Sequence, residues 1–195
     1  WELTETEKPD EVLQAAVEDV LREDGASVLV FVYQRASAEK LARELGAAAY
    51  HSGMSAAQKA RVKADMLNGK TRCVVTTTAL GLGVNLPATH VFLRDTMFHG
   101  YGRLELAEIL QMLGRAGRGD RSGSAVVLVR PSDGWAAAEL AAELRAGKIG
   151  EIRSSFESAV LAVTQSSRRG ENNKHDEDPQ EILATSVASL LCRRK

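Results

Sequence analysis

The chain has only two cysteines in 195 residues, Cys73 and Cys192. They stand far apart, with neither zinc-site spacing nor enough partners for a disulfide framework. That excludes the small scaffolds held by cystines and suits a reducing compartment. An excess of either charge is equally lacking: 25 Lys and Arg against 26 Asp and Glu leave a formal net charge of -1. No global basic field therefore advertises non-specific coating of nucleic acid, although that count is silent about a local groove. No apolar run reaches the roughly 18 residues of a membrane span, and no signal peptide is seen. The expected setting is the cytoplasm, the nucleoid or the nucleus, with no membrane partner. No Gly-x-Gly-x-x-Gly follows the first buried strand pattern, since residues 33–38 read Tyr-Gln-Arg-Ala-Ser-Ala. This argues against a dinucleotide-binding dehydrogenase. No Ser-His-Asp or Cys-His arrangement stands out. His99 has no carboxylate or second histidine at ligand spacing, so no metal site is expected.

What is present is ordinary for a globular α/β protein: 44% hydrophobic and 26% charged residues. Pro9 to Glu23 reads as a helix, with Pro9 in its first turn, an apolar face of Val12, Ala15, Ala16 and Val20, and Gly25 to cap it. Val28 to Tyr33 is a continuous apolar run, the mark of a strand covered on both faces. Ser37 is placed to cap a second helix, which ends near Gly46. A short strand is expected at Ala47 to Tyr50. Ser55 and Gln58 form a capping box for a helix that ends near Asn68-Gly69. Strands follow at Cys73 to Val75, His90 to Leu93 and Ala125 to Val129, with a helix from Leu104 to Leu113. Strands alternating with helices imply a parallel sheet with helices on both faces. Past Ser132 the pattern becomes purely helical. Helices are expected at Trp135 to Arg145, 152–163 and 179–191, with a charged linker near 166–180.

In such a sheet, ligands gather at the carboxyl ends of strands. Four segments are picked out. Gln34-Arg35 follows the first buried strand, and His51-Ser52-Gly53 follows the short one. Thr76-Thr77-Thr78 leads into Gly81-Leu82-Gly83-Val84-Asn85. The fourth is Gln111-Met112-Leu113-Gly114-Arg115-Ala116-Gly117-Arg118, just before the last strand. The hydroxyls and free backbone N–H groups of the second and third suit phosphate oxygens. The same hydroxyls equally suit helix caps and turns. In the fourth, two arginines stand three apart, each preceded by glycine. Helical spacing would put both guanidinium forks on one side, and such forks suit a polyphosphate.

These segments, in this order, resemble motifs IV (28–35), IVa (50–54), V (75–88) and VI (111–118) of the second RecA-like domain of superfamily 2 helicases. Gly-Val-Asn-Leu-Pro at 83–87 and Gln-Met-Leu-Gly-Arg-Ala-Gly-Arg are similar to the branch that holds archaeal-type DNA repair helicases and exosome-associated RNA helicases. They are less like DEAD-box proteins, whose motif V places Arg where this chain has Leu82 and Asp where it has Asn85. No Walker A sequence occurs, so the ATP loop and the first RecA-like domain are expected elsewhere. Trp1 in place of an initiator Met likewise suggests a piece excised from a longer protein.

The resemblance implies a RecA-like domain over 26–132, an N-terminal helix or interdomain linker over 1–25, and a helical extension over 133–195, the start of a winged helix. It implies that Arg118 is an arginine finger reaching the γ-phosphate of ATP held, with Mg2+, mainly by the first domain. Arg115 is its companion, Gln111 lies near the nucleotide and the attacking water, and Gly83 and Asn85 line the nucleotide side. Arg35, His51, Ser52, Gly53, Thr76, Thr77 and Thr78 contact a nucleic-acid backbone. Phe98 and Tyr101 sit where that branch holds a strand-separating hairpin; a plain surface loop is the other reading of that stretch. The implied partners are nucleic acid (DNA over RNA, as a single strand or forked duplex) and the first RecA-like domain. The implied activity is ATP-dependent unwinding in DNA repair, with this chain inactive alone. A helicase-derived interaction scaffold without catalysis is the rival reading.

Overall fold

The fold follows from how the apolar runs alternate along the chain. The structure, a computed structural model, describes residues 1–77, 86, 88–98 (Phe98 by its backbone), 102–117, 122–134 and 136–146. Residues 1–150 cluster as one compact unit and 151–195 as another, and the second unit lies outside the described residues. So do the helices expected at 152–163 and 179–191 and the charged linker.

Six strands form one sheet: β1 (Glu2–Glu5), β2 (Val28–Val32), β3 (Ala48–Tyr50), β4 (Cys73–Thr77), β5 (His90–Leu93) and β8 (Ser124–Val129), in the order β1-β8-β5-β2-β4-β3. Every pairing is parallel. A separate antiparallel pair joins β6 (Met97–Phe98) to β7 (Gly102–Arg103). The helices are α1 (Pro9–Val20), α2 (Arg35–Glu44), α3 (Ala56–Leu67), α4 (Leu106–Leu113) and α5 (Ala137–Ala146).

All five residues of β2 and of β4 are buried. Because successive side chains point to opposite faces, each strand feeds two cores. Leu29 and Phe31 of β2 join Val74, Val91, Leu93, Val127 and Val129, covered by Ile109, Met112 and Leu113 of α4 and by Leu140 and Leu144 of α5. Val28, Val30 and Val32 join Cys73, Val75, Phe92 and Leu128, covered by Leu13 and Val17 of α1 and by Ala38, Leu41 and Ala42 of α2. A parallel sheet covered on both faces is therefore the arrangement, as the sequence pattern implies. Full burial of a side chain such as Phe31 is worth about 1.5–3 kcal/mol.

Several boundaries differ from the sequence expectation. Helix α1 stops at Val20 rather than Glu23, and Gly25 turns the chain at φ 69°. Helix α2 starts at Arg35 with Gln34 as N-cap and no side-chain bond to it, so Ser37 lies inside the first turn and is not the cap. Helix α4 starts at Leu106, because Leu104 is buried where the β6–β7 pair closes, its N–H donating to the Thr96 carbonyl at 3.0 Å. Strand β1 is not foreseen at all. It is an edge strand, paired only with β8, and no residue of it is fully buried. With α1, it makes the stretch 1–25 part of the sheet and its cover. The α3 capping box is as expected: Gln58 N–H donates to Ser55 Oγ at 3.2 Å, and Ser55 N–H to Gln58 Oε1 at 2.8 Å.

Candidate functional site

Parallel pairing brings the carboxyl ends of β8, β5, β2, β4 and β3 to one edge of the sheet. Phe31 aligns with both Thr76 and Leu93, and Tyr50 with Thr76. Arg35, His51, Ser52, Gly53, Thr76 and Thr77 all lie along this edge, so the sequence-predicted backbone contacts come together. Arg35, Ser52 and Gly53 are exposed. A Cβ placed on Gly53 would stand 3.2 Å from His51 Nδ1 and 3.5 Å from an Arg35 guanidinium nitrogen. Imidazole and guanidinium thus flank the bare glycine backbone, a small residue that admits close approach. His51 is itself buried. Its Nε2 lies 3.2 Å from Glu39 Oε1, and its Nδ1 has no hydrogen-bond partner among the described residues. Thr77 is 5% exposed and Thr76 fully buried, with the Thr76 hydroxyl donating to the Thr77 carbonyl at 3.1 Å. That hydroxyl is engaged within the strand end. Thr78 lies outside the described residues.

The same edge holds a group the sequence reading passes over. Asp95, directly after β5, is buried. Its Oδ2 accepts the Tyr33 N–H at 2.8 Å, and its Oδ1 takes Arg94 Nε at 2.9 Å and Arg130 Nη2 at 3.0 Å. Arg94 also reaches Asp10 Oδ1 at 3.2 Å. Three charge-assisted bonds on one buried carboxylate tie together the ends of β2, β5 and β8. The signal was available: Asp95 follows a buried strand, as Arg35 does. Glu39 is also missed, and nothing local marks its long-range contact with His51.

The twin-arginine segment lies elsewhere. Helix α4 ends at Leu113, Gly114 caps it, and Gly117 has φ 84°. Arg115 is therefore in a turn past the helix end. Ala116 bridges Ala88, and Gly117 N–H donates to the Ala88 carbonyl at 2.9 Å, two residues before β5 starts. This places the segment at the amino edge of the sheet and corrects its grouping with the carboxyl-end segments. The physical reason is simple: α4 carries the chain back across the sheet before β8 begins. Gln111 is exposed on the last turn of α4 and Arg115 is half-buried. Gly123, unremarked in the sequence, packs against this turn. A Cβ on it would come within 2.6 Å of Gly117 Cα and closer still to Gly117 N and the Ala116 carbonyl carbon. Arg118, Gly83 and Asn85 lie outside the described residues, as does Tyr101.

A cleft of about 460 Å³ also opens at the amino edge, beside Ala26, Met66, Arg72 and Ala88. Its arginine is engaged: Arg72 donates to the carbonyls of Ala26 and Glu23 at 3.0 Å each and to that of Leu21. Cys73 is inert by burial, which pushes its thiol pKa up to about 12.

A six-stranded parallel sheet in the order β1-β8-β5-β2-β4-β3, covered by helices on both faces, defines a RecA-like α/β domain. Residues 8–120 match the model of the helicase conserved C-terminal domain, and the chain belongs to that family. It is 44% identical over 95 residues to the probable ATP-dependent helicase MJ1401 of Methanocaldococcus jannaschii, covering 46% of this chain and 12% of that protein. It is 38% identical over 97 residues to the ATP-dependent DNA helicase Hel308 of Pyrococcus horikoshii, covering 46% of this chain and 14% of that protein. The chain therefore spans a small part of the curated relatives it matches. Among solved structures, the C-terminal domain of the DEAD-box protein Dbp5 superposes with TM-score 0.61 at 21% identity, over 76% of this chain and 84% of that one. Mycobacterium smegmatis helicase Lhr, bound to ssDNA and AMP-PNP, gives TM-score 0.61 at 23% identity, over 78% of this chain and 22% of that one. Those two likenesses support the fold.

Proposed function

We propose that this chain is the second motor domain of an ATP-dependent nucleic-acid helicase. The observation that carries the reading is the convergence of Arg35, His51 and Gly53 at the carboxyl edge of the sheet. It makes a phosphate grip that reads no base, as a translocating strand requires. Ser52 and Thr77 extend this track, and Thr78 continues it in the sequence. DNA is favoured over RNA, because several relatives at 37–39% identity are named as DNA helicases, against the RNA helicase DExH14 of Arabidopsis thaliana at 40%.

At the amino edge, Gln111 and Arg115 suit a nucleotide held by another domain. Arg115 and Arg118 would place two permanent charges against phosphate oxygens, Gln111 would orient water, and Gly83 and Asn85 would face the same side. The Gly117 turn, backed by Gly123, fixes the chain where Arg115 leaves α4. ATP with Mg2+, held mainly by a first RecA-like domain, would supply the phosphoryl group that is transferred. An arginine finger acting across such a cleft contributes on the order of 10³–10⁵ in rate. This chain alone then hydrolyses no ATP. The β6–β7 pair carries Phe98 on one arm and leads into Tyr101, and we assign it the strand-separating role.

The test is single-turnover ATPase of the full-length protein with DNA or RNA as activator. DNA should stimulate more than RNA, and Arg118→Ala should abolish turnover while leaving DNA affinity within about twofold. Full activity of Arg118→Ala would refute the finger, and strong ATPase from residues 1–195 alone would refute the two-domain reading.

A further inference from the structure

We propose that Asp95 is a positioning residue that sets the β6–β7 hairpin at a fixed distance from the phosphate-contact edge. The proposal rests on the strand-separating reading of that hairpin. One carboxylate oxygen holds the Tyr33 N–H at 2.8 Å, two residues before Arg35. The other holds Arg94 and Arg130 at 2.9 and 3.0 Å. The next residue, Thr96, is fully buried and begins the hairpin, with its carbonyl bonded to Leu104 N–H across the base.

The second arm is held from the same place. Arg103 of β7 donates to the Gly134 carbonyl, and Gly134 closes the turn of residues 131–133 that Arg130 begins. One turn after β8 therefore grips the outgoing arm through Asp95 and the returning arm through Arg103. Arg94 carries the tie on to Asp10 in α1. A two-stranded pair of two residues each has little stability of its own. Its stance is therefore set by these anchors, and Asp95 is the anchor that also touches the strand leading to Arg35. A wedge that separates bases works only if it stands at a set interval from the backbone grip, and a displacement near 1 Å is costly.

The test uses the full-length protein with Asp95→Asn and, as a milder release of the same carboxylate, Arg130→Ala. Single-strand-stimulated ATPase, translocation along single-stranded DNA and forked-duplex unwinding are measured side by side. Both variants should lower unwinding on the order of tenfold while ATPase and translocation stay within about twofold, so that fewer base pairs open per ATP. A parallel loss of all three activities would make Asp95 merely structural and overturn the proposal. The double variant Phe98→Ala, Tyr101→Ala separates the two layers. If it unwinds normally, the strand-separating reading itself falls. If it is impaired while Asp95→Asn and Arg130→Ala unwind normally, only the positioning role is overturned.

Discussion

Gly123→Ala is the sharpest test of how the arginine turn is held. The new Cβ would lie within 2.6 Å of Gly117 Cα, and ordinary contact begins at 3.4 Å. The neighbours are backbone, so no rotamer change relieves the overlap, and because Gly117 N and the Ala116 carbonyl carbon lie closer still, the two chain segments must separate by more than about 1 Å. Gly117 is also the residue whose N–H bonds the Ala88 carbonyl at 2.9 Å. Stretching that bond costs about 0.5–1.5 kcal/mol, a Tm loss of roughly 2–6 °C for a unit of this size. The larger effect falls on function. A misplacement near 1 Å of a charge-stabilising group lowers turnover on the order of 10²-fold, or about 2.7 kcal/mol of barrier. The assay is kcat and KM for ATP in the full-length protein at saturating DNA, with a thermal melt of each variant. Gly69→Ala is the control. It sits at positive φ, 70°, and nothing lies within 4 Å of its added Cβ. It should lower Tm by a comparable amount through backbone strain of about 1 kcal/mol and leave kcat unchanged. Wild-type kcat in Gly123→Ala, or equal losses of kcat in the two variants, would refute the idea that this contact aims the arginines.

Three further outcomes are expected. Arg35→Ala in the full-length protein should weaken binding of single-stranded DNA uniformly across sequences and reduce the slope of log K against log salt by about 1, as loss of one phosphate contact requires; an unchanged slope in a salt titration would remove Arg35 from the track. Ser55→Ala should destabilise the domain by about 1 kcal/mol in urea unfolding, because it deletes half of the α3 capping box, and an unshifted midpoint would show the cap to be without weight. Cys73, its pKa pushed by burial from an ordinary 9.0 up to about 12, keeps its proton in the folded chain while the unfolded thiol ionises. The unfolded state then binds fewer protons, so stability falls between about pH 9 and 12 by about 1.4 kcal/mol per pH unit. Cys73→Ala should remove that component of the alkaline slope, and identical slopes would contradict the burial of the thiol.

Much of the fold was legible because its signals are local or periodic. The run Val28–Val32 is apolar at every position since both faces of β2 are covered, and the Ser55–Gln58 pair announces α3 within four residues. Strand β1 was not legible, because an edge strand reading Glu-Leu-Thr-Glu buries too little to leave a pattern. Arg35, His51 and Gly53 could be grouped from the carboxyl-end rule. The arginine segment was grouped with them wrongly, although the topology already contained the correction: a segment directly before a parallel strand stands at that strand's amino end. Glu39 and Gly123 act through contacts with His51 and Gly117 that only the folded chain creates. Asp95 is the middle case, marked by its place after β5 but given its meaning by Tyr33 and Arg130.

The separation of the two edges bears on how such a domain can work. Strand β5 joins them. Two residues before it, Ala88 holds the arginine turn, and two residues after it, Asp95 holds the hairpin base and the strand leading to Arg35. Its four residues span about 13 Å at 3.3 Å each, and β2 and β8 pair with it on both sides in register. Sliding β5 relative to its neighbours would break the ladder on both sides at once and unpack the two cores. The edges are therefore not free to move against each other. On the proposed reading, closure on ATP cannot bend this domain to advance the strand. It must carry the arginine turn, the phosphate grip and the hairpin together as one block, so the step is set by motion against the first RecA-like domain. The internal ties at Ala88 and Asp95 serve to keep that block rigid.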